Sequence, residues 1–407
     1  MGEILFLAHR APWPPNRGDK IRSHHFLQKL MDCAPVHIAC FADDEAEKEV
    51  GWNRKAELAS CEIVVRKKPK WRAGIEALAS GKPVSLASFQ SVEVGNYVAD
   101  VIATRPVDCI FIFSGQMAQF IPADYRGRVV MDFADVDSAK FESYADEGSG
   151  PMAWINRREG RLLRAFEKTV AERADHSLFV SEAEALLFRQ RSGLSDEQVK
   201  AVGNGIDLEF YGAQDVEAEV SDNNGPLILF TGQMDYQPNV QAVQSFSTEV
   251  MPDILARFPD ARFAIVGRAP TEKVTQLDGE NGTIVTGAVD DIRSWIMAAD
   301  VVVAPLRIAR GIQNKVLEAM AMAKPVVASA CAAEGIEATD GKHFLIAQSV
   351  AEEARLVCDL LGDAERAMQF GEQARILIHS HYSWETQLAD LPGLCGFQHP
   401  VIAEAVA

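Results

Sequence analysis

Apolar runs without regular alternation recur along this chain from end to end, and they restrict its fold more than any other feature. CIFIF (109–113), LILF (227–230) and VVVAP (301–305) are three of them. A strand with one face in water alternates apolar and polar residues, whereas a strand covered on both faces by helices does not. The runs therefore predict parallel strands buried between layers of helices.

Helical patterns separate the runs, and the order strand, helix, strand predicts right-handed βαβ units. The acidic, polar segment 213–226 (AQDVEAEVSDNNGP) divides seven runs from the six that follow and is typical of a linker. The predicted fold class is α/β, with two doubly wound Rossmann-like domains facing a central cleft. The predicted parts are an acceptor-side domain (1–212), the linker (213–226), a nucleotide-sugar domain (227–380) and a C-terminal helix and tail (381–407) that can cross back to the first domain.

Composition narrows the class of protein. The 407 residues carry a formal net charge of -18, which argues against broad nucleic-acid binding. The seven cysteines form no C-x-x-C pair, which favours reduced thiols in a cytosolic protein. Neither a signal peptide nor an apolar run of about 18 residues is present. We therefore expect a cytoplasmic protein, with peripheral contact to the inner face of the plasma membrane as an option.

The segment 307–329 (RIARGIQNKVLEAMAMAKPVVAS) contains one acid on an otherwise apolar helix. VVVAPL precedes it as a strand, so the helix is expected to begin near Gly311–Ile312 at the carboxyl end of the sheet. Free N–H groups there favour an anion. Lys315 and Glu318 lie one turn apart, which suits a diphosphate and two ribose hydroxyls. An i,i+3 ion pair on a solvated edge is an equal alternative.

Several motifs carry a family resemblance. The run KVLEAMAMAKPVVAS (315–329) resembles the donor-site signature of glycosyltransferase family 4, retaining enzymes with the GT-B fold. Together with DFADVDSAKF (132–141), the segment is most similar to the sugar transferases associated with PEP-CTERM/exosortase systems, which accompany exopolysaccharide loci. Other pieces occur in the family order: PPNRGDKIR, FVSEAE, VGNGID, FTGQMDYQPN, IVGRAP and VTGAVDDIRSWIMAADVVVAPL.

The resemblance implies a donor site made from loops that follow strands, without metal or another cofactor. Its members would be Gly18, Gly232, Gln233, Gly267, Arg268, Val289, Arg310, Gly311, Ile312, Gln313, Asn314, Lys315 and Glu318.

The chain also departs from the family. Arg310 replaces the usual Glu eight residues before Glu318. Gln233 and Asn239 occupy the neighbourhood in which the family has Arg and Lys. Phosphate neutralisation is therefore expected to shift to Lys315, Arg268 and Arg310.

Two loops of the first half are candidates for the acceptor side. The resemblance implies that PPNRGDKIR (14–22), with Gly18, covers the donor diphosphate. An ordinary turn with Asp19 as the helix N-cap is the alternative. In the other loop, Asp135 and Asp137 are candidate catalytic acids that orient an acceptor hydroxyl, although helix N-caps would use the same residues. They match the metal-binding D-x-D tripeptide, but the GT-B resemblance argues against a metal.

A basic segment around a tryptophan is a candidate membrane or acceptor patch. It comprises Arg66, Lys67, Lys68, Lys70, Trp71 and Arg72. Cations and Trp both favour an anionic membrane interface, whereas a solvated charged loop is the alternative. The adjacent His24 and His25 have no third ligand at recognisable spacing, so a partly exposed helix face is expected rather than a metal site.

The resulting prediction is a retaining glycosyltransferase. It would move a sugar from a nucleoside diphosphate to a glycan or lipid-linked acceptor in exopolysaccharide synthesis. A sugar-nucleotide epimerase on the same fold and a non-catalytic nucleotide-sugar-binding protein are the alternatives. An NAD-dependent enzyme is disfavoured, because no G-x-G-x-x-G follows a strand.

Overall fold

The structure is a computed structural model that describes residues 2–15, 17–212, 216–218, 225–309 and 312–398. The strands coincide with the apolar runs of the sequence. They are β1 (Glu3–Ala8), β2 (Val36–Ala42), β3 (Ser60–Val65), β4 (Val107–Phe113), β5 (Arg128–Ala134), β6 (His176–Phe179), β7 (Val199–Ala201), β8 (Leu227–Thr231), β9 (Arg262–Val266), β10 (Thr283–Gly287), β11 (Val301–Ala304), β12 (Val326–Ser329) and β13 (Leu345–Ala347).

Helices connect the strands, and several of them are only one turn long. They are α1 (Gly18–Met31), α2 (Glu45–Trp52), α3 (Lys70–Ser80), α4 (Val84–Ser88), α5 (Val92–Thr104), α6 (Asp137–Glu147), α7 (Gly150–Arg173), α8 (Glu182–Ser192), α9 (Leu208–Gly212), α10 (Gln237–Ser245), α11 (Met251–Arg257), α12 (Glu272–Thr275), α13 (Ile292–Ala298), α14 (Asn314–Ala321), α15 (Ala330–Ala333), α16 (Val350–Leu361), α17 (Ala364–His381), α18 (Trp384–Gln387) and α19 (Leu391–Leu394).

The strands form two parallel sheets, one in each of two compact units. The first sheet has the order β3-β2-β1-β4-β5-β6-β7, and the second has the order β10-β9-β8-β11-β12-β13. In both, the chain moves outward from a central strand, then returns and moves outward in the other direction. The prediction of two doubly wound α/β domains is therefore confirmed.

Burial explains why the runs lack alternation. Every residue of β1 is buried, as is every residue of β8 and β11. Helices cover both faces of each sheet, so a polar side chain would have no access to water on either side. The buried residues of the second unit form one continuous core that includes Phe230, Phe246 and Phe263.

The division between the units falls earlier than the segment predicted as the linker. The first unit comprises described residues within Met1–Asn204 and Leu388–Ala407, and the second comprises those within Gly205–Gln387. α9 thus belongs to the second unit rather than to a domain ending at residue 212. Gly205 has a physical reason to be a glycine there, since a Cβ would lie 2.5 Å from the Trp384 backbone. Most of 213–226 lies outside the described residues.

The C-terminal segment belongs to the first unit from Leu388 onward, seven residues later than the predicted boundary at 381. Arg128, at the start of β5, donates a hydrogen bond of 3.1 Å to the Leu394 carbonyl. This contact fastens α19 to the first sheet.

Candidate functional site

The carboxyl edge of the second sheet has a switch point between β8 and β11, which are adjacent strands that leave in opposite directions. Ligands of open α/β sheets bind at such a point, beyond the carboxyl ends of the strands. The loop after β8 carries Gly232 and Gln233, and the loop after β11 leads into α14. Most of the predicted donor residues therefore lie along one edge of one sheet.

α14 begins at Asn314, which corrects the predicted start near Gly311–Ile312. Gln313 is the N-cap residue, with an extended ψ of 99°. Its carbonyl accepts from the amides of Val316 at 2.9 Å and Leu317 at 3.4 Å. The amides of Asn314 and Lys315 are the first two of the helix and have no carbonyl acceptor within it, as expected for a helix N-terminus. Of the remaining predicted residues, Ile312 is half-buried against the core, whereas Arg310 and Gly311 lie outside the described residues.

Two glycines let the strand ends approach each other closely. Gly232 and Gly267 follow β8 and β9, with φ values of 156° and 155°. A Cβ on Gly267 would lie 1.7 Å from the Gly232 carbonyl oxygen, and one on Gly232 would lie 3.1 Å from Lys315 Nζ. Side chains at these positions would fill the space beside the Lys315 ammonium group. Without a Cβ at either glycine, a ligand can enter that space and approach the backbone closely.

Lys315 is fixed in the first turn of α14 by two contacts. Its Nζ donates to Asn239 Oδ1 at 2.8 Å and lies 3.9 Å from the centre of the Phe230 ring. Phe230 belongs to β8, and Asn239 lies in α10, which follows the loop after β8. The ammonium group is therefore held directly over the carboxyl end of the central strand.

Burial lowers the pKa of Lys315 to about 7, and attraction to Glu318 opposes the shift only in part. The low-polarity surroundings disfavour the charged form, and no carboxylate among the described residues directly contacts the ammonium group. A bound anion would supply the missing partner and raise the pKa again.

Glu318 lies one turn further along α14 and is half-buried. The Tyr211 hydroxyl of α9 donates a hydrogen bond to its carboxylate. Burial raises the pKa of Glu318, while the Tyr211 hydrogen bond and the Lys315 charge act in the opposite direction. A carboxylate has about four acceptor positions, so one Tyr contact leaves others for a ligand.

The alternative of a solvated Lys315–Glu318 ion pair does not match the geometry. No ion pair within 4.0 Å joins these two described residues, although each influences the pKa of the other. Lys315 instead contacts Asn239, and Glu318 contacts Tyr211. The two groups therefore face a shared region without neutralising each other.

Gln233, Asn239 and Arg268 form a polar network beside the lysine. Asn239 Nδ2 donates to the Gln233 carbonyl at 2.9 Å, and Arg268 donates to Gln233 Oε1 at 2.9 Å. Arg268 is exposed, so its guanidinium group can turn toward a ligand. Val289, in the loop after β10, is half-buried against the core.

The first sheet has its own switch point, between β1 and β4. α1 begins at Gly18, where a Cβ would have nothing within 4 Å, so the structure does not require glycine there. Asp19 is the second helical residue and not the N-cap, which is Arg17. The Asp19 carboxylate instead accepts from Arg10 at 2.5 Å and Arg17 at 2.8 Å.

Asp19 also has a histidine neighbour that the sequence did not single out. His9 Nε2 lies 3.4 Å from Asp19 Oδ2, and the ring stacks on Phe113 at the end of β4. Burial lowers the pKa of His9, which keeps the ring neutral at pH 7. Burial alone would raise the pKa of Asp19, but hydrogen bonds from His9, Arg17 and Arg10 outweigh it and hold the pKa well below its usual range.

The three acids near the end of β5 have different environments. Asp132 is fully buried and accepts two hydrogen bonds from Arg22, at 2.8 and 3.1 Å. Asp135 is exposed, whereas Asp137 is half-buried at the first position of α6. Burial raises the pKa of Asp137, as do the charges of Asp135 and Glu184. Asp132 is therefore structural, and Asp135 and Asp137 stay candidates for acceptor contact.

The predicted basic patch differs from the expectation, because acids pair with its cations. Lys70 starts α3, so the segment enters a helix instead of staying a loop, and its side chain lies outside the described part. The ion pairs are Arg66–Asp43 at 2.7 Å, Lys67–Glu45 at 3.0 Å, Lys68–Glu76 at 2.9 Å and Arg72–Glu76 at 3.0 Å. Trp71 is 69% exposed.

Within the described residues, no three His, Cys, Asp or Glu side chains are grouped as metal ligands would be. His24 and His25 lie in α1 with ring centres 5.4 Å apart.

Sequence reasoning missed Tyr211 and His9. Tyr211 lies 107 positions before Glu318, next to the segment predicted as a linker, so only the fold brings them together. His9 immediately follows the buried strand β1, and a polar residue at the carboxyl end of a parallel strand is a candidate for a functional site.

Comparisons with known proteins give a family match within the second unit. Residues 225–363 match the family model described as "Glycosyl transferases group 1". The chain is 27% identical over 162 residues to the phosphatidyl-myo-inositol mannosyltransferase of Propionibacterium freudenreichii. That match covers 39% of this chain and only 39% of the relative's length.

Solved structures resemble the chain over nearly its whole length. Sucrose-phosphate synthase from Thermosynechococcus elongatus is 16% identical with a TM-score of 0.65, over 97% of this chain and 98% of that one. HepE from Anabaena, solved in complex with UDP, is 18% identical with a TM-score of 0.65, over 96% and 98%. At these identities the similarity establishes the fold alone. Residues 225–363 thus match the glycosyl transferases group 1 family model, and the chain has the two-domain α/β fold of the GT-B glycosyltransferases among its structural neighbours.

Proposed function

We propose that this protein is a glycosyltransferase that takes its sugar from a nucleoside-diphosphate donor. The observation that carries the proposal is the pair of half-buried groups on α14, Lys315 and Glu318, beside the end of β8. The family match of the same segment supports it, as does the binding of UDP by the structurally similar HepE.

The donor diphosphate would lie against the start of α14. Lys315 and the first-turn amides would stabilise the charge that develops on the leaving diphosphate, and Arg268 could add a second cation. Glu318 would accept hydrogen bonds from the ribose hydroxyls, with Tyr211 holding the carboxylate in place. The family resemblance implies an Arg and a Lys in the neighbourhood of Gln233 and Asn239, and their absence fits this scheme, because Asn239 instead accepts a hydrogen bond from Lys315.

The acceptor side and the stereochemistry are proposals that rest on the resemblance. We assign contact with the acceptor hydroxyl to Asp135 or Asp137, in the first unit. The acceptor would be a glycan or lipid-linked hydroxyl of an exopolysaccharide, and the anomeric configuration would be retained. Peripheral contact with the inner membrane face would bring the enzyme to such an acceptor.

Replacing Glu318 tests the donor site. Glu318→Ala removes the carboxyl group that would accept hydrogen bonds from two ribose hydroxyls, each worth about 0.5–1.5 kcal/mol, so donor affinity should fall about 10–100-fold. The thermal shift produced by UDP-glucose and by GDP-mannose is the measurement. Glu365→Ala, an exposed acid on α17, is the matched control and should bind as the wild type does.

Products then separate the candidate reactions. Incubation with the bound donor and extracted lipid acceptor should yield a glycosylated lipid with the α or β configuration of the donor, read by NMR. A donor converted to its epimer without acceptor would instead show an epimerase. Binding of every donor without turnover on any acceptor would show a non-catalytic binding protein.

Donor binding should depend on pH through Lys315. Its pKa is about 7 in the free protein, and a bound diphosphate raises the pKa. Below pH 7 the lysine is already charged, so affinity is constant. Above pH 7 binding must take up a proton, so affinity should fall about tenfold per pH unit.

Titration calorimetry in buffers of different ionisation enthalpy would measure the proton taken up. Lys315→Arg is the matched variant, because a guanidinium group stays charged throughout this range. Its affinity should not vary between pH 7 and 9. Equal pH dependence in both proteins would assign the titration to another group.

A further inference from the structure

Helix α3 exposes a continuous apolar face. Trp71, Ile75 and Leu78 are 69%, 60% and 60% exposed. At about 100° per residue they fall within a sector of about 60° on one side of the helix. A surface helix of a globular protein normally has charged residues in this position. Exposed apolar residues grouped in this way mark an interaction site.

The opposite face of α3 already packs against the protein. Ala73 and Ala77 are 1% and 0% exposed and form a small cluster with Ala87 of α4. The alanine face of α3 is therefore the face that packs against the rest of the protein. Trp71, Ile75 and Leu78 lie on the other face, where they are accessible to an external partner.

The start of α7, a helix that Arg158 connects to α3, also exposes large apolar side chains. Met152, Trp154 and Ile155 are 63%, 57% and 40% exposed. Arg158 ties the two helices together, since its guanidinium group donates to the Ala77 carbonyl at 2.9 Å and the Lys82 carbonyl at 3.2 Å. We call these six side chains, three from each helix, the apolar surface.

Exposed cations follow the apolar residues along α7. Arg157, Arg161 and Arg164 are exposed at i, i+4 and i+7, on one side of the helix. Within the described part of the chain, no carboxylate lies within 4.0 Å of them. The nearby acids Glu159 and Glu167 are buried and point inward, accepting hydrogen bonds from Ser85 and Ser138.

We propose that the apolar surface and the arginine stripe of α7 (Arg157, Arg161 and Arg164) dock this protein on an anionic lipid bilayer. Charge complementarity selects the partner. The chain has a net charge of -18, so an anionic membrane would repel most of it and attract this local stripe. The apolar surface contains two tryptophans, Trp71 and Trp154, and tryptophan favours the headgroup level of a bilayer. Apolar and cationic signals together give stable peripheral binding where one alone does not.

The reason for docking rests on the proposed function, because an enzyme that glycosylates a lipid-linked acceptor must reach that acceptor at the membrane. Within the described residues no helix has both the length and the apolar character needed to cross a bilayer. Contact through the apolar surface would thus be peripheral.

Vesicle flotation without any nucleotide sugar tests docking by itself. The wild type should float with vesicles of phosphatidylglycerol and phosphatidylcholine, and at least tenfold less with phosphatidylcholine alone or at high salt. Trp71→Glu/Ile75→Glu and Arg157→Glu/Arg161→Glu should each lose at least tenfold in binding. Ile376→Glu, a 58% exposed position on α17, is the matched control and should float as the wild type does.

Two results would overturn the proposal. One is equal flotation of the wild type with neutral and anionic vesicles, or none with either. The other is a dimer in analytical ultracentrifugation that Trp71→Glu/Ile75→Glu dissociates, which would assign the surface to a second copy. UDP-glucose and GDP-mannose thermal shifts of the same variants should stay unchanged. If the wild type shows donor thermal shifts but does not float with anionic vesicles, the docking proposal fails and the proposed function stands. If it floats but shows no donor shift, the proposed function fails and docking stands.

Discussion

Lys315→Ala is expected to weaken donor binding about 100-fold, equivalent to about 2.7 kcal/mol. The ammonium group is the only described cation held at the start of α14 by fixed contacts, to Asn239 at 2.8 Å and to the Phe230 ring at 3.9 Å. Because it is partly buried, its interaction with a phosphate is weakly screened by water. Alanine leaves the diphosphate with the helix N-terminus alone.

The same change should not destabilise the free protein. Burial already opposes the charged form of Lys315, and its pKa is about 7. Equal or higher thermal stability, together with lost affinity for UDP-glucose or GDP-mannose, would place the lysine in the binding site. Lys342→Ala, an exposed lysine before β13 and so at the opposite sheet edge, is the matched control. Unchanged donor affinity in Lys315→Ala would remove the basis of the proposed site.

Arg22→Met is expected to lower the free energy of unfolding by about 3–5 kcal/mol. Arg22 and Asp132 are 2% and 0% exposed and share two hydrogen bonds. Arg22 also donates to Asn204 Oδ1 at 3.0 Å, so it connects α1, β5 and the end of the first unit. Removing the guanidinium group leaves a carboxylate in the core with one backbone partner, the Ala134 amide.

Urea unfolding followed by circular dichroism measures the loss. The double variant Arg22→Met/Asp132→Leu should recover most of it, because no charge is then left unpaired. Arg54→Ala breaks an ion pair whose side chains are 49% and 41% exposed and should cost less than about 1 kcal/mol. A loss as small for Arg22→Met would mean that water reaches Asp132.

The strands were predictable because their signal is local and strong. Each run had to be buried on both faces, and its neighbours in sequence were helices, so β1, β8 and β11 needed no long-range information. The start of α14 was less predictable, since Gln313 and Ile312 have no distinctive capping chemistry. The pairing of the basic segment was only partly predictable: Glu76 follows Arg72 by one helical turn, whereas Asp43 and Glu45 come from a different stretch of chain.

The sequence by itself determined the class of fold, the edge of the sheet where chemistry would lie, and Lys315 and Glu318 as the residues to test. Hydrophobic pattern and strand order depend on neighbouring residues, which a sequence displays directly. Tertiary structure alone decided the partners: Asn239 for Lys315, Tyr211 for Glu318, Arg22 for Asp132. Such pairs join residues that are distant along the chain, and only packing determines which side chains meet, how far each is buried and therefore how it titrates.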